Sequence, residues 1–359
     1  MARLLLFLGK KIGRFAILAI ALPSFGLTLL WVAAFDIADR QPLIVLFFAP
    51  IAIGATMFGL VLVVGMIFAG IRWEEADTLS REDVAELWSI WRELTGDRVA
   101  SRTTLCIDAD LNAGVGLSGT FASLFSRRYV LTIGLPLLAT MDHEAIKAVL
   151  AHEYAHLRNR DVNGKLGLFE MEKCFEAVFD YAPPRQSVFG SVLYLLLTPI
   201  TDALAKEEQR LSWSAEFASD RHAAEVGHAA GVARALILLN AAVELYERKV
   251  EEPLAKELLG AMSPPRPPLA RFLDLASELT RRRELAEYAR LALEKPIDST
   301  SDHPPFGERL AALGYSSMPE VEPITLSGLS MITDQKKLAD LIREFDDAWT
   351  TMVADALER

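Results

Sequence analysis

Charge is missing from two long stretches near the start of the chain, residues 15–35 and 41–71, separated by a short polar link with Asp36, Asp39 and Arg40. At about 1.5 Å per residue, helices of such length cross the roughly 30 Å hydrocarbon core of a bilayer. Backbone inside lipid must satisfy its own hydrogen bonds, so the pattern predicts an N-terminal transmembrane helical hairpin with spans at about 15–35 and 42–71. Lys10, Lys11 and Arg14 ahead of the first run look like the start of a secretory leader. The run is long for one, and the second run argues against cleavage.

Beyond residue 73 the pattern becomes that of amphipathic elements. Ser80 and Asp83 have capping-box spacing, and Val84, Leu87, Trp88, Trp91 and Leu94 follow at helical intervals. A juxtamembrane helix is therefore predicted within 74–101, its Trp residues facing either lipid headgroups or the rest of the protein. Residues 103–109 and 128–133, rich in Thr, Val, Ile and Leu, predict strands of a small antiparallel β-sheet, with a turn-rich loop at 110–119. A helical pattern then runs from about 141 to 158, capped by Thr140 or Asp142, with Ile146, Val149, Leu150 and Leu157 as its apolar stripe. The uncharged run 186–201 contains Gly190 and Pro199 and is too short to span, which predicts a buried or membrane-apposed helix. Helices at about 203–226 and 231–247 follow, then a proline-rich linker at 263–268. Leu338, Leu341, Ile342, Phe345, Trp349, Met352 and Val353 mark a C-terminal amphipathic helix. The chain reads as mainly α with a small antiparallel β-sheet: hairpin 1–73, juxtamembrane helix 74–101, an α+β domain 102–316 and a helical extension 317–359.

Composition sharpens this reading. Hydrophobic residues make up 52% of the 359, high for a soluble globule. Residues 1–73 carry six basic and two acidic side chains, leaving 31 basic against 46 acidic in the remainder, a net charge of −15 that argues against nucleic acid as a partner. Arg3, Lys10, Lys11 and Arg14 precede the first span, Arg40 alone lies in the link and Arg72 follows the second. The excess of basic residues outside the link places both termini in the cytoplasm of a cell membrane, a bacterial inner membrane by this reading. Cys106 and Cys174 are too few for a disulfide framework, which suits a reducing compartment.

The chemistry sits in His152-Glu153-Tyr154-Ala155-His156. Two imidazoles at i and i+4 share one helix face, where both reach a single zinc ion, one per chain. Glu153 faces the substrate side, where its carboxylate can take a proton from water that the metal acidifies; the metal also polarises the scissile carbonyl. A metzincin would need Gly at 159 and His at 162, positions held by Asn159 and Val162. A glutamate-ligand site needs a Glu from a second helix, commonly with an Asp four residues on to hold a ligand imidazole. Glu176 with Asp180, and Glu216 with Asp220, both offer this spacing. Asp180 runs into Tyr181-Ala182-Pro183-Pro184, where helices normally end. Glu216 and Asp220 lie within a longer helical pattern among small residues, and spacing alone leaves both pairs open.

Four stretches together resemble the HtpX and CAAX-prenyl-protease group of membrane zinc metalloproteases, metallopeptidase family forty-eight. They are Asn112-Ala113, residues 134–161 around the motif, SAEFASDRHAAE (214–225) and DHPPFGERLAAL (302–313). The resemblance covers roughly 102–315 and implies a zincin-type domain with Glu216 as third zinc ligand and Asp220 behind a ligand histidine. It also implies active-site roles for His303 and Arg309, and Asn112-Ala113 as an edge element holding substrate as an added strand. The chain departs from the family pattern in offering one uncharged run where two further spans are usual between the motif and the second helix. His143, His222 and His228 read as ordinary surface or hydrogen-bonded residues. The expected function is a zinc endopeptidase acting on protein or peptide substrates at the lipid bilayer, in membrane protein quality control. A narrower processing protease for lipidated or short peptides is the alternative, and a non-catalytic scaffold or chaperone, which has no need of Glu153, is the third reading.

Overall fold

The computed structural model describes residues 2–37, 42–69, 79–118, 128–163, 165–184, 186–296, 301 and 303–358. Asp39 and Arg40 of the expected link, Arg72, Gly119 and Asp302 lie outside the described residues. In chain order the first helices are α1 (Ala2–Ile12), α2 (Leu18–Ile37), α3 (Pro42–Phe68), α4 (Ala85–Thr95) and α5 (Asp97–Ala100). Strands β1 (Thr103–Asp108), β2 (Ala113–Ser118) and β3 (Arg128–Gly134) come next, then α6 (Leu135–Thr140), α7 (His143–Asn163), α8 (Lys165–Tyr181) and α9 (Val188–Gly227). The chain closes with α10 (Ala229–Tyr246), α11 (Glu252–Leu258), α12 (Pro268–Leu275), α13 (Arg282–Leu293), α14 (Phe306–Ala312) and α15 (Gln335–Leu357). Two compact units result, one of residues 1–72, 118–127 and 158–212, the other of 73–117, 128–157 and 213–359.

The first unit gathers α1, α2, α3, α8 and the start of α9. Helices α2 and α3 are almost uniformly apolar, and large side chains such as Leu29 and Phe47 point outward at 69% and 75% exposure. That is the surface of a membrane protein, since water would penalise it and lipid does not. Inside the hairpin, the Thr28 and Thr56 hydroxyls meet at 2.7 Å and Thr28 also donates to the Ala52 carbonyl at 3.2 Å, the polar contacts that hold helices together in lipid. Helix α8 packs on α1 and α3 through glycines: a Cβ at Gly65 would stand 2.9 Å from the Cys174 carbonyl, and one at Gly167 would collide with the Gly9 carbonyl. The run 186–201 is not a short separate helix, as its proline and length suggested. It opens the 40-residue α9, which continues through Pro199 and is long and apolar enough to cross a membrane. A proline inside a helix costs one hydrogen bond but does not end the helix when its surroundings hold it, and Pro23 and Pro50 sit inside α2 and α3 in the same way.

The second unit is built on the sheet, whose strand order is β1-β3-β2. It corrects the all-antiparallel expectation: β1 and β3 run parallel, from Thr103 opposite Tyr129 to Asp108 opposite Gly134. Strand composition does not encode the direction of the partner, and residues 109–127 are long enough to return the chain to the same end. The expected loop at 110–119 contains β2, a third strand on the free side of β3. Ser80 and Asp83 make the reciprocal bonds of a capping box, the Ser80 hydroxyl 2.6 Å from Asp83 Oδ2 and the Asp83 N–H 3.3 Å from Ser80 Oγ, but around the turn ahead of α4, whose own N-cap Val84 makes no side-chain cap bond. Trp91 of α4 faces the protein rather than headgroups; it is fully buried and its indole N–H donates to Thr103 Oγ1 at 3.1 Å. Helix α10 also meets the length and apolarity of a span, yet Val232, Leu236, Ile237 and Leu238 lie in the core with Leu131, Ile133, Ile146 and Leu150, so it is a core helix. Pro268 starts α12 rather than belonging to the linker, as its fixed φ allows at a first helical position. In α15, Leu338, Leu341 and Val353 are buried while Met352 is 60% exposed.

Candidate metal centre

Every residue of the site belongs to the second unit. Helix α7 begins on Asp142, whose Oδ1 accepts the Ala145 N–H at 3.0 Å, a side-chain cap of the kind that fixes where a helix starts. Its i, i+4 geometry then stacks the His152 and His156 rings edge to face, centroids 4.5 Å apart, with the two Nε2 atoms 2.9 Å from one another. The later part of α9 brings Glu216 and Asp220, 3% and 1% exposed, beside them. Glu216 Oε1 lies 3.0 Å from His156 Nε2, and its Oε2 lies 3.4 Å from His152 Nε2. Asp220 Oδ1 lies 2.9 Å from His152 Nδ1.

A second ring of groups holds these carboxylates. Arg309 of α14, itself buried, donates to Asp220 through Nε and Nη2 in two parallel bonds of 2.7 Å, the fork geometry that guanidinium and carboxylate share. Its Nη1 is 3.2 Å from Glu216 Oε2, and His303 Nδ1 approaches the same oxygen at 3.2 Å from an exposed position. Glu216 Oε2 is nevertheless a buried atom without a well-formed hydrogen bond. Burial alone pulls the His152 imidazole towards neutrality, but Asp220 and Glu216 beside it outweigh that and raise it to about 9. At His156 burial outweighs the Glu216 carboxylate beside the ring and lowers the value. The pocket of carboxylates thus calls for positive charge at the Nε2 side of His152. His152, Glu153 and His156 form a group that could hold a metal ion.

The other expected residues fall in different places. Asn112 Oδ1 accepts the Ala113 N–H at 2.8 Å and the Asn112 carbonyl accepts the Gly134 N–H at 2.9 Å, which sets the start of β2 beside β3. Glu176 belongs to the first unit, where it is exposed and bound to Lys173 at 2.5 Å, and Asp180 is the last residue but one of α8. His143 pairs with Glu86 on the surface at 2.7 Å, and His222 stands beside the Tyr154 ring. One group escapes any reading of side chains: the backbone N–H of Val115 on β2 donates to Glu153 Oε2 at 3.2 Å. The Ala-Gly-Val-Gly sequence of β2 was the only signal that backbone might approach the motif closely.

The sequence model of peptidase family M48 matches residues 118–317, the stretch that supplies the motif helix, Glu216, Asp220, His303 and Arg309. No curated protein matches the chain. Among solved structures, the crystal structure of Ste24p from S. mikatae is similar at 18% identity and a TM-score of 0.34, over 86% of this chain and 66% of that one. The chain therefore spans just under two thirds of that protein's length.

Proposed function

Because this chain belongs to peptidase family M48, we propose that it is a membrane-anchored zinc endopeptidase with His152, His156 and Glu216 as the three protein ligands. The observation that carries the ligand set is the convergence of donor atoms: the two imidazole Nε2 atoms are 2.9 Å apart, with Glu216 Oε1 3.0 Å from that of His156 and Glu216 Oε2 3.4 Å from that of His152. Zn–N bonds of about 2.0–2.1 Å in a tetrahedron put neighbouring ligand atoms roughly 3.3 Å apart, so the two imidazoles and one carboxylate fit a zinc site with a fourth position left open. The buried Oε2 of Glu216 without a well-formed hydrogen bond supports the same fit. Zinc bound there supplies a Lewis acid that lowers the pKa of water and polarises a carbonyl.

The chain's own residues do the rest. Asp220, pinned by Arg309, fixes the ring of His152 so that Nε2 faces the ion, the orienting role of a carboxylate behind a ligand imidazole. Glu153 takes the proton of the attacking water and returns it to the leaving amine. His303, exposed and within reach of Glu216, donates to the oxyanion of the tetrahedral intermediate. The outer edge of β2, from Asn112 and Ala113 onward, receives the substrate as an added strand. The basic residues flanking the hairpin favour a domain on the cytoplasmic face that handles membrane or misfolded proteins. A reporter fused after Arg359 reads that orientation: alkaline phosphatase activity there would overturn it.

Metal analysis beside casein cleavage tests the mechanism on purified protein. Glu153→Gln should keep its zinc and lose about 100-fold or more in turnover, because an amide cannot accept the proton. Near-normal turnover by that variant would remove Glu153 from the role of base.

A further inference from the structure

The Glu153 carboxylate is already engaged by the strand that the proposed function gives to the substrate. The Asn112 carbonyl is bonded to Gly134 on β3. Successive residues of a strand turn their N–H and C=O groups to opposite edges, so Gly114 faces β3 while Ala113 and Val115 face outward. Both of these outward donors are taken by side-chain oxygens: Ala113 N–H by Asn112 Oδ1 at 2.8 Å and Val115 N–H by Glu153 Oε2 at 3.2 Å. A peptide that joins this edge must offer a carbonyl to the same Val115 N–H. One hydrogen cannot serve two acceptors well, so the peptide carbonyl and the Glu153 carboxylate exclude each other there.

We propose that the Val115 N–H is a latch: it holds the Glu153 carboxylate until the main chain of an extended peptide takes the donor over, which confines hydrolysis to peptides long enough to reach Val115. This rests on the peptidase reading and adds to it a positioning group and a length requirement. The exchange balances without any further group, since one acceptor replaces another on the N–H and the released carboxylate oxygen is left to accept a proton from water. A short peptide bound only at the metal leaves the latch closed and meets a base with one oxygen occupied.

A double-mutant cycle on the zinc-loaded full chain in detergent tests the latch. The probes are an uncleavable octapeptide with a reduced amide at its centre and a tripeptide analogue too short to lie along β2. Glu153→Ala should tighten octapeptide binding by about 5-fold, the worth of one ordinary hydrogen bond, and leave the tripeptide unchanged. In a Val115→Pro background, which lacks the donor, the same substitution should give no gain. Equal octapeptide binding by wild type and Glu153→Ala, or a gain that survives Val115→Pro, would overturn the latch. Amide hydrogen exchange at Val115 decides the question if the proline variant fails to fold: exchange should quicken at least about 10-fold in Glu153→Ala, and unchanged exchange would overturn the proposal. This last measurement needs no peptide, so octapeptide that binds none of the proteins would count against the peptidase reading alone.

Discussion

The two units solve the same problem, a buried charge, in opposite ways. In the first, Arg14 is 7% exposed among apolar helices, and its Nη1 bonds to the Ala69 carbonyl at 3.1 Å and reaches the Met66 carbonyl at 3.5 Å. A cation set against the carbonyls at the end of α3 is stabilised by the partial negative charge of the helix terminus, while its buried Nε makes no hydrogen bond among the described residues. In the second unit, Glu216, Asp220 and Arg309 are 3%, 1% and 9% exposed and lie against one another and two imidazoles. Two buried carboxylates against one guanidinium leave a negative charge that a neighbouring imidazole or a bound cation must balance, since an uncompensated buried charge is costly. A charge neutralised by backbone is structural, whereas a cluster left short of a cation has room for one.

That contrast is put to its hardest test by two glutamates with the same ExxxD spacing, one in each unit. Glu216→Gln should lose zinc altogether, and with it at least about 100-fold in peptidase turnover, since the amide keeps the shape of the side chain but cannot supply the anionic ligand. Glu176→Gln should keep both zinc and turnover and shift stability by no more than about 0.5 kcal/mol, as befits an exposed residue whose partner is Lys173 on its own helix. Metal content of the folded variants separates the cases. Stoichiometric zinc in the Glu216 variant would reverse the choice of ligand and erase the distinction between the units.

Features that repeat along the chain were legible in it. The hairpin showed itself because length and apolarity are the whole physics of crossing a bilayer, and the motif because i, i+4 spacing is the helix itself. The capping box at Ser80 and Asp83 and the apolar stripe of α4 could be read in the same local way. What escaped reading depends on partners distant in sequence. Strand β2 was hidden by its glycines, which read as turn, while it is the pairing with β3 that makes the segment a strand. The parallel pairing of β1 and β3 is a property of the connection between them, and α9 runs on through Pro199 because its neighbours hold the helix. The fork between Arg309 and Asp220 joins residues 89 apart in sequence. Val115 could not be singled out at all, because every residue but proline carries the same N–H.

The smallest effect asks whether charges of the second unit away from the site are as structural as Arg14 in the first. Asp142 caps α7 and binds Arg234 of α10 through Oδ2, at 3.0 Å to Nε and 2.5 Å to Nη2, while Arg234 Nη1 reaches the Glu322 carbonyl at 2.6 Å. Burial pushes the Asp142 carboxyl up, but Arg234 and the Ala145 N–H overcome that and hold it below the usual aspartate range. Asparagine caps a helix as well as aspartate does, so Asp142→Asn removes the ion pair and keeps the cap. The pair is partly open to solvent, and a loss of about 1 kcal/mol in unfolding free energy is expected at pH 7. A carboxyl whose folded pKa lies below its unfolded value of about 3.9 contributes its stability above that pH and gives it up as pH falls through the folded value. Thermal melts of the full chain in detergent should therefore show wild type and variant converging below about pH 4, with zinc content unchanged at pH 7. A gap that persists unaltered into acid would mean that the packing of Asp142, rather than its charge, holds the start of the motif helix.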